Sequence, residues 1–268
     1  MPLAVCATPI GNLRDVTLRV LEALREADVV LCEDTRHTRL LLDRHEISAR
    51  LLSLHEHNEA ERAAEILPRL EAGERVALVS DAGMPGISDP GGRLVRAALA
   101  AGVPVSVLPG PSAVETALVA SGLVGERYQF VGFLPRRAGE LAALWEELRG
   151  MALPVVAFES PRRLPASLAS LAEALPGREM AVCRELTKHF EEVVRGPAEE
   201  LASRFAEAPK GEITLVIGPG EPGGSEDVPA ALEAMAELLA AGTPRKVAAE
   251  VVSRLTGVAR NDLYRGSL

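Results

Sequence analysis

Cysteine is scarce and unpatterned in this sequence. Cys6, Cys32 and Cys183 are the three among 268 residues, widely spaced and each set in an apolar stretch. An odd number without a C-x-x-C spacing speaks against a disulfide framework and against a structural zinc site. The three read as small hydrophobes of core strands in a reducing cytoplasm. Long apolar runs are missing too: none approaches the roughly 20 residues of a membrane-spanning helix. Met1–Ala7 is apolar but has no basic n-region, and it runs straight into Thr8-Pro9-Ile10-Gly11. It reads as a buried first strand, not a signal peptide, and the expectation is a soluble protein. There is no G-x-x-x-x-G-K-[ST], no G-x-G-x-x-G after the first strand, no G-x-S-x-G and no H-E-x-x-H. Phosphate-cradling NTPase, Rossmann dehydrogenase and α/β-hydrolase functions are thereby disfavoured. Lysine appears only at Lys188, Lys210 and Lys246, and the net charge is −9. That balance excludes an indiscriminate nucleic-acid binder while leaving room for a local basic surface.

What is present is core. Hydrophobic residues make up 47% of the chain, and short apolar runs alternate with longer amphipathic ones. Strands are predicted at Leu3–Ala7, Val29–Cys32, Leu51–Leu54, Val76–Val79 and Val103–Leu108. Helices are predicted between them at Thr17–Ala27, Thr38–Arg44, Asn58–Glu71 (Asn58 as N-cap) and Gly92–Ala101. Val/Leu runs without polar alternation imply strands covered on both faces, hence a mainly parallel wound sheet. After Pro109-Gly110-Pro111 a helix at Ala113–Ser121 leads into a second series. Its strands are Gln129–Phe133, Val155–Phe158, Met180–Arg184, Glu191–Arg195 and Ile213–Ile217. Helices at Glu140–Arg149, Pro165–Ala174 and Ala198–Glu207 accompany them. The close spacing of Met180–Arg184 and Glu191–Arg195 predicts a hairpin and therefore a mixed sheet. Glu221-Pro222-Gly223-Gly224-Ser225 reads as a flexible linker. Helices at Pro229–Ala241, Thr243–Thr256 and Arg260–Gly266 follow. From Thr243 onward, five basic residues (Arg245, Lys246, Arg254, Arg260, Arg265) face two acidic ones (Glu250, Asp262). This reading gives an N-terminal α/β domain over 1–111, a second α/β domain over 112–220 and a helical extension over 226–268.

Four segments share one form, a buried strand running into a loop rich in Gly, Pro, Ser, Asp or Thr. They are Thr8–Asn12, Ser80–Gly92, Pro109–Ala113 and Glu159–Pro161. Ligands of wound α/β sheets collect outside the carboxyl ends of strands, where such loops gather. Ser80–Gly92 is the richest, with four glycines, two prolines and the acids Asp81 and Asp89, more than a tight turn needs. His55 and His57 lie two apart, on one face of an extended chain. With Glu33, Asp34, Glu56 and Glu59 they suggest either a polar substrate rim or plain surface, and no metal-ligand spacing. Arg184, Glu185 and Lys188 form a second polar group, suited to an anionic substrate or to a surface ion pair.

Ala7-Thr8-Pro9-Ile10-Gly11-Asn12-Leu13, Glu33-Asp34-Thr35-Arg36-His37-Thr38, Ser80-Asp81-Ala82-Gly83-Met84-Pro85, Leu108-Pro109-Gly110-Pro111-Ser112-Ala113 and Arg184-Glu185-Leu186-Thr187-Lys188 together resemble one family, in order and spacing. It is the ribosomal RNA small subunit methyltransferase I family of 16S rRNA cytidine 2′-O-methyltransferases, within the tetrapyrrole methylase fold class. The likeness covers about residues 3–218, and Lys246–Tyr264 also looks like the family's C-terminal helices. It implies a two-lobed α/β fold, a mainly parallel sheet followed by a mixed one, with a helical tail. It further implies S-adenosylmethionine (SAM) in the interlobe cleft, a homodimer, a cytoplasmic setting and the small ribosomal subunit as partner. Carried over residue by residue, the cofactor contacts are Pro9, Asp81, Gly83, Met84, Ile87, Ser112, Ala113, Phe158, Ile213 and Thr214. Met84 and Gly86 depart from the pattern expected of that loop, which touches the fit around the methionine end. Candidates for a general base are Asp34, His55 and Glu185. RNA contacts are expected from Arg136, Arg137, Arg162, Arg163 and the basic tail, with Arg184 and Lys188 holding the nucleotide. Metal is not expected. Three other readings stay open: a precorrin-type tetrapyrrole C-methyltransferase, a non-catalytic SAM- or RNA-binding module, and, third, a metal hydrolase using the histidine cluster.

Overall fold

The structure, a computed structural model, describes residues 2–220, 228–256, 258 and 260–266. The expected linker Glu221–Ser225 lies outside the described residues. In the first half, β1 (Leu3–Cys6), β2 (Val29–Cys32), β3 (Leu51–Ser53), β4 (Val76–Val79) and β5 (Val105–Leu108) pair in the order β3-β2-β4-β1-β5. Every pairing is parallel. The helices between them are α1 (Leu18–Glu26), α2 (Thr35–Arg44), α3 (Glu59–Glu71) and α4 (Gly92–Ala100). Successive strand residues face opposite sides, and both sides are used. Ala4, Cys6, Val30 and Cys32 pack with Leu21 and Leu24 of α1 and Leu41 and Leu42 of α2. Leu3, Val5, Val29 and Leu31 pack with Ile66 and Leu70 of α3 and Leu94 and Ala98 of α4. Burial on both faces is why these strands carry almost no polar side chains.

Two local expectations change. Asn58 precedes α3 but makes no side-chain cap bond. Its Oδ1 accepts instead from the His55 backbone N–H at 2.8 Å, and its Nδ2 donates to the Ser53 carbonyl at 3.3 Å. Asn58 thereby closes a turn, so His55 and His57 do not share the face of an extended strand; their rings meet edge-on at 6.0 Å. The helix after β2 starts at Thr35 instead of Thr38, because Asp34 caps it by accepting from the Arg36 N–H.

The second half begins with α5 (Ala113–Ser121), which crosses to a second sheet. That sheet comprises β6 (Gln129–Phe133), β7 (Val155–Glu159), β8 (Glu179–Arg184), β9 (Glu192–Pro197) and β10 (Ile213–Ile217), in the order β6-β7-β10-β8-β9. β6 and β7 are parallel; every pairing of β10, and the β8–β9 hairpin, is antiparallel, which gives the mixed sheet expected. The last strand in sequence thus lies at the centre. One face packs on α6 (Ala138–Arg149), α7 (Leu164–Ala174) and α8 (Ala198–Arg204) around Trp145. Trp145 is fully buried, and its Nε1 donates to Ser170 Oγ at 3.0 Å. The other face packs on Val114, Ala117 and Leu118 of α5, together with Ile10 of the first half and Leu186. The two sheets are therefore joined by shared apolar packing. Helices α9 (Val228–Ala240), α10 (Arg245–Thr256) and α11 (Arg260–Gly266) enclose a small core of their own around Met235, Val252 and Leu263. No helix of the described residues is long and apolar enough to cross a membrane.

Adjacent β1 and β4 send their following helices to opposite faces of the first sheet, α1 to one and α4 to the other. Such divergence opens a crevice at the carboxyl ends of the two strands. It is there that the richest loops emerge.

Candidate functional site

The loops after β1 and β4 are stitched together. Thr8 and Gly83 exchange backbone hydrogen bonds at 2.9 and 3.1 Å, and Thr8 Oγ1 donates to the Ser80 carbonyl at 3.0 Å. Gly83 holds φ +80° to make this bridge, a conformation costly for residues with a Cβ. From the other lobe, the loop after β8 closes over the first. Thr187 Oγ1 accepts from the Asn12 N–H at 3.0 Å, and a methyl on Gly11 would sit 2.9 Å from the Leu186 carbonyl oxygen. The lobes touch here without space for a side chain.

Between them lies a cavity of about 390 Å³. All four loops read from the sequence contribute to it: Ile10 from the first, residues 81–84 and 87–89 from the second, Ser112 and Ala113 from the third, and Glu159–Pro161 from the fourth. Of the ten expected cofactor contacts, Asp81, Gly83, Met84, Ile87, Ser112, Ala113, Phe158, Ile213 and Thr214 line it; Pro9 does not. Ile10 and Glu159 were expected only as members of their loops and Asp89 only as a loop acid, while Phe133 and Leu186 line the cavity without having been expected there. Phe133 and Phe158 are edge-on at 5.4 Å, and Phe158 meets Phe130 in the same way at 5.0 Å. Phe133 remains 59% exposed at the cavity mouth. No periodicity marks it, since the last residues of β6 are half-exposed; only its position beside the β7 loop does.

Asp81 Oδ1 accepts from the Asp34 N–H at 3.1 Å, tying the loop after β2 to the one after β4. Glu159 is buried, its side chain at 0% exposure. It meets Arg163 Nη2 at 2.5 Å, accepts from the Ser160 N–H at 2.5 Å, and takes the Ser167 hydroxyl as a further donor. Arg163 also donates to the Leu134 and Pro135 carbonyls at 3.0 and 3.2 Å, so it fastens the β6 loop to the β7 loop. Burial pushes the thiol of Cys183, at the cavity wall, up to about 12, and the Cys6 thiol likewise. Both are inert apolar fillers at neutral pH.

None of the three base candidates lines the cavity. Asp34 spends its carboxylate on Arg36, at 2.7 Å, and on the α2 cap, and these bonds hold its carboxyl far below the usual range. Glu185 accepts from the Glu212 N–H and from Lys188 Nζ, both at 2.9 Å, and is likewise held low, first by that backbone bond. His55 keeps a buried Nδ1 without a hydrogen-bond partner among the described residues.

The expected RNA-contacting residues divide. Arg184 is tied to Glu192 at 3.1 Å, and Lys188 to Glu185 and Glu212 at 2.9 Å each. Arg137 pairs with Glu140 at 3.1 Å but stays exposed. Arg136 and Arg162 are exposed and, among the described residues, have no ion pair or hydrogen bond. In the tail, Arg245 reaches the Tyr264 carbonyl at 2.9 Å and Arg260 pairs with Glu250 at 3.2 Å, leaving Lys246 and Arg265 outward. Among the described residues no three His, Cys, Asp or Glu side chains gather as a metal site.

A parallel sheet and a mixed sheet facing one cavity define the two-lobed tetrapyrrole methylase fold. Residues 2–202 match the family described as Tetrapyrrole (Corrin/Porphyrin) Methylases, and residues 226–266 the one described as RsmI C-terminal HTH domain. A solved diphthine synthase shares the fold at TM-score 0.66 and 17% identity, over 81% of this chain and 89% of its own. The methyltransferase CobJ does so at 0.62 and 22%, over 81% and 93%. Far more similar in sequence is a ribosomal RNA small subunit methyltransferase I from Mesorhizobium japonicum, 47% identical over 98% of this chain and 90% of its own. A protein of the same name from Escherichia coli O157:H7 is 42% identical over 99% and 94%. The chain belongs to the ribosomal RNA small subunit methyltransferase I family.

Proposed function

We propose that this protein transfers a methyl group from SAM to small-subunit ribosomal RNA, and that the acceptor is the ribose 2′-oxygen of a cytidine in 16S rRNA. The observation that carries the reading is that four strand-end loops from two lobes line one cavity. Its size falls within the usual range for small-molecule sites, and its chemistry suits the donor. Ile10, Met84, Ile87 and Phe158 offer an apolar bed, while Asp81, Ser112 and Thr214 offer polar contacts; the Asp81 carboxylate favours a cation. We assign Asp81, Gly83, Met84, Ile87, Ser112, Ala113, Phe158, Ile213 and Thr214 to the cofactor, with Pro9 behind them in the first loop. When bound, SAM supplies an electrophilic methyl group on a sulfonium.

The protein's part is mostly alignment, worth up to about 7–11 kcal/mol, whereas a general base adds about 10²–10⁴-fold. Phe133, exposed at the mouth and braced by Phe158, presents a face on which an unstacked base can lie. The chain is taken to act in the cytoplasm as a homodimer, with lobes of 1–111 and 112–220 and a tail of 226–268.

The test is mass-spectrometric mapping of labelled methyl on small subunits incubated with the protein. The expected product is a single ribose-methylated cytidine; methyl on a base, or none, would refute the reading. A second expectation concerns the free arginines. Arg136→Ala and Arg162→Ala should each flatten the log–log salt dependence of RNA binding by about 0.9, or nearer 0.7 on single strands. Arg163→Ala should leave that slope unchanged and lower stability instead. Equal slopes for wild type and both exposed-arginine variants would remove Arg136 and Arg162 from the RNA surface.

A further inference from the structure

We propose that Asp89 is the proton acceptor for the attacking ribose hydroxyl, an assignment that rests on the 2′-O reading above. Four carboxylates line the cavity: Asp81, Asp89, Glu159 and Glu212. Three have other duties. Asp81 holds the Asp34 N–H, Glu159 is saturated by Arg163, Ser160 and Ser167, and Glu212 pairs with Lys188 while 71% exposed. Asp89 is partly buried and has no cation partner among the described residues. Its position is fixed from the next segment. Glu59 of α3 accepts from the Gly91 and Arg93 N–H groups at 2.9 Å each and lies 3.6 Å from the Arg93 guanidinium. The loop holding Asp89 is therefore clamped to the start of α4.

The surroundings give Asp89 the proton affinity that a base needs. Burial, then the Glu33 carboxylate, push its carboxyl up to about 6; Asp81 adds to the rise and the Ser80 hydroxyl opposes it. Glu33, arriving from the end of β2, is itself raised by burial and by Asp81, with His55, Asp34 and Glu56 also facing it. At neutral pH Asp89 is then ionised yet a far better acceptor than an ordinary aspartate. Asp89 takes the 2′-hydroxyl proton while the oxygen's electron pair forms the O–CH₃ bond. The S–CH₃ bonding pair stays on sulfur, and the proton passes from Asp89 to solvent.

The test uses the full-length protein, small subunits and SAM. Asp89→Asn should lower kcat by about 10²–10⁴-fold while leaving the calorimetric SAM Kd unchanged, and Asp89→Glu should restore part of the rate. Wild-type kcat/KM should fall as pH falls through about 6, because the ionised form is the active one. In ¹³C spectra of the protein without RNA, the aspartate carboxyl resonance missing from Asp89→Asn should titrate in the same range. Retained kcat in Asp89→Asn would overturn the assignment, as would a collapse of SAM affinity with kcat intact, which would make Asp89 a cofactor anchor. Should Asp89→Asn fail to fold, a wild-type profile flat through pH 6 would overturn it equally. A wild type that methylates some other atom would instead sink the 2′-O reading, and the mapping experiment separates the two failures.

Discussion

Glu159→Ala is expected to destabilise the folded protein by about 3–5 kcal/mol, because it strips the partner from a buried ion pair. The carboxylate is wholly buried at the end of β7, while the Arg163 side chain is 28% exposed. Partial access of water to the guanidinium places the loss toward the lower figure. What remains would be a cation facing the Leu134 and Pro135 carbonyls alone, and a Ser167 hydroxyl without its acceptor. The measurement is urea unfolding, with a lowered midpoint and an unchanged slope. Glu159→Gln should lose less, since it keeps an acceptor for Ser167. A loss below about 1 kcal/mol would mean that the pair behaves as a surface salt bridge. Because Glu159, Ser160 and Pro161 form one cavity wall, the variant should also loosen cofactor binding. It would do so through the wall and not through a lost contact.

Asp81→Ala should weaken SAM binding by about 10–100-fold, the range for losing one hydrogen bond to a charged group. The side chain lines the cavity and also anchors the Asp34 N–H, so two consequences are expected together. Calorimetry would report the weaker Kd, and the thermal midpoint of the unliganded protein should change little, because the Asp34 N–H can turn to water. Asp81→Asn, which keeps an acceptor oxygen, separates the two: it should restore the loop anchor without restoring the charge. A variant that binds SAM as tightly as wild type would show the loop to have been misread.

The frame of the molecule was readable because its strands are covered on both faces. Runs such as Val29–Cys32 and Ile213–Ile217 are too short for helices and rich in β-branched residues, which marks them as buried strands, and the short spacing before Glu191 announced a hairpin. The loops were readable as well, since glycine and proline densities like that of Ser80–Gly92 exceed what a turn requires. Single side chains fared worse. Asn58 looked like a helix cap and serves a turn, because a cap and an Asx turn use the same short side chain. Arg163 looked like an RNA contact, but its partner Glu159 lies four residues upstream at a strand end, where only the fold brings it near. Glu185 and Asp34 looked like bases, yet both are absorbed by neighbouring donors. Proton affinity depends on burial and on the company of Glu33, and neither is written locally around Asp89.

The central position of β10 carries a consequence for the order in which the protein is made. The first sheet is complete once Leu108 has been synthesised, so the N-terminal half can fold while the rest is still being translated. The second sheet cannot. Among the described residues β7 and β8 are hydrogen-bonded into one sheet only through Ile213–Ile217, so the ladder cannot close until the chain has passed residue 217. Because Ile213 and Thr214 also line the cavity, the nascent protein lacks that wall until late in its synthesis, and the site is completed with this last strand.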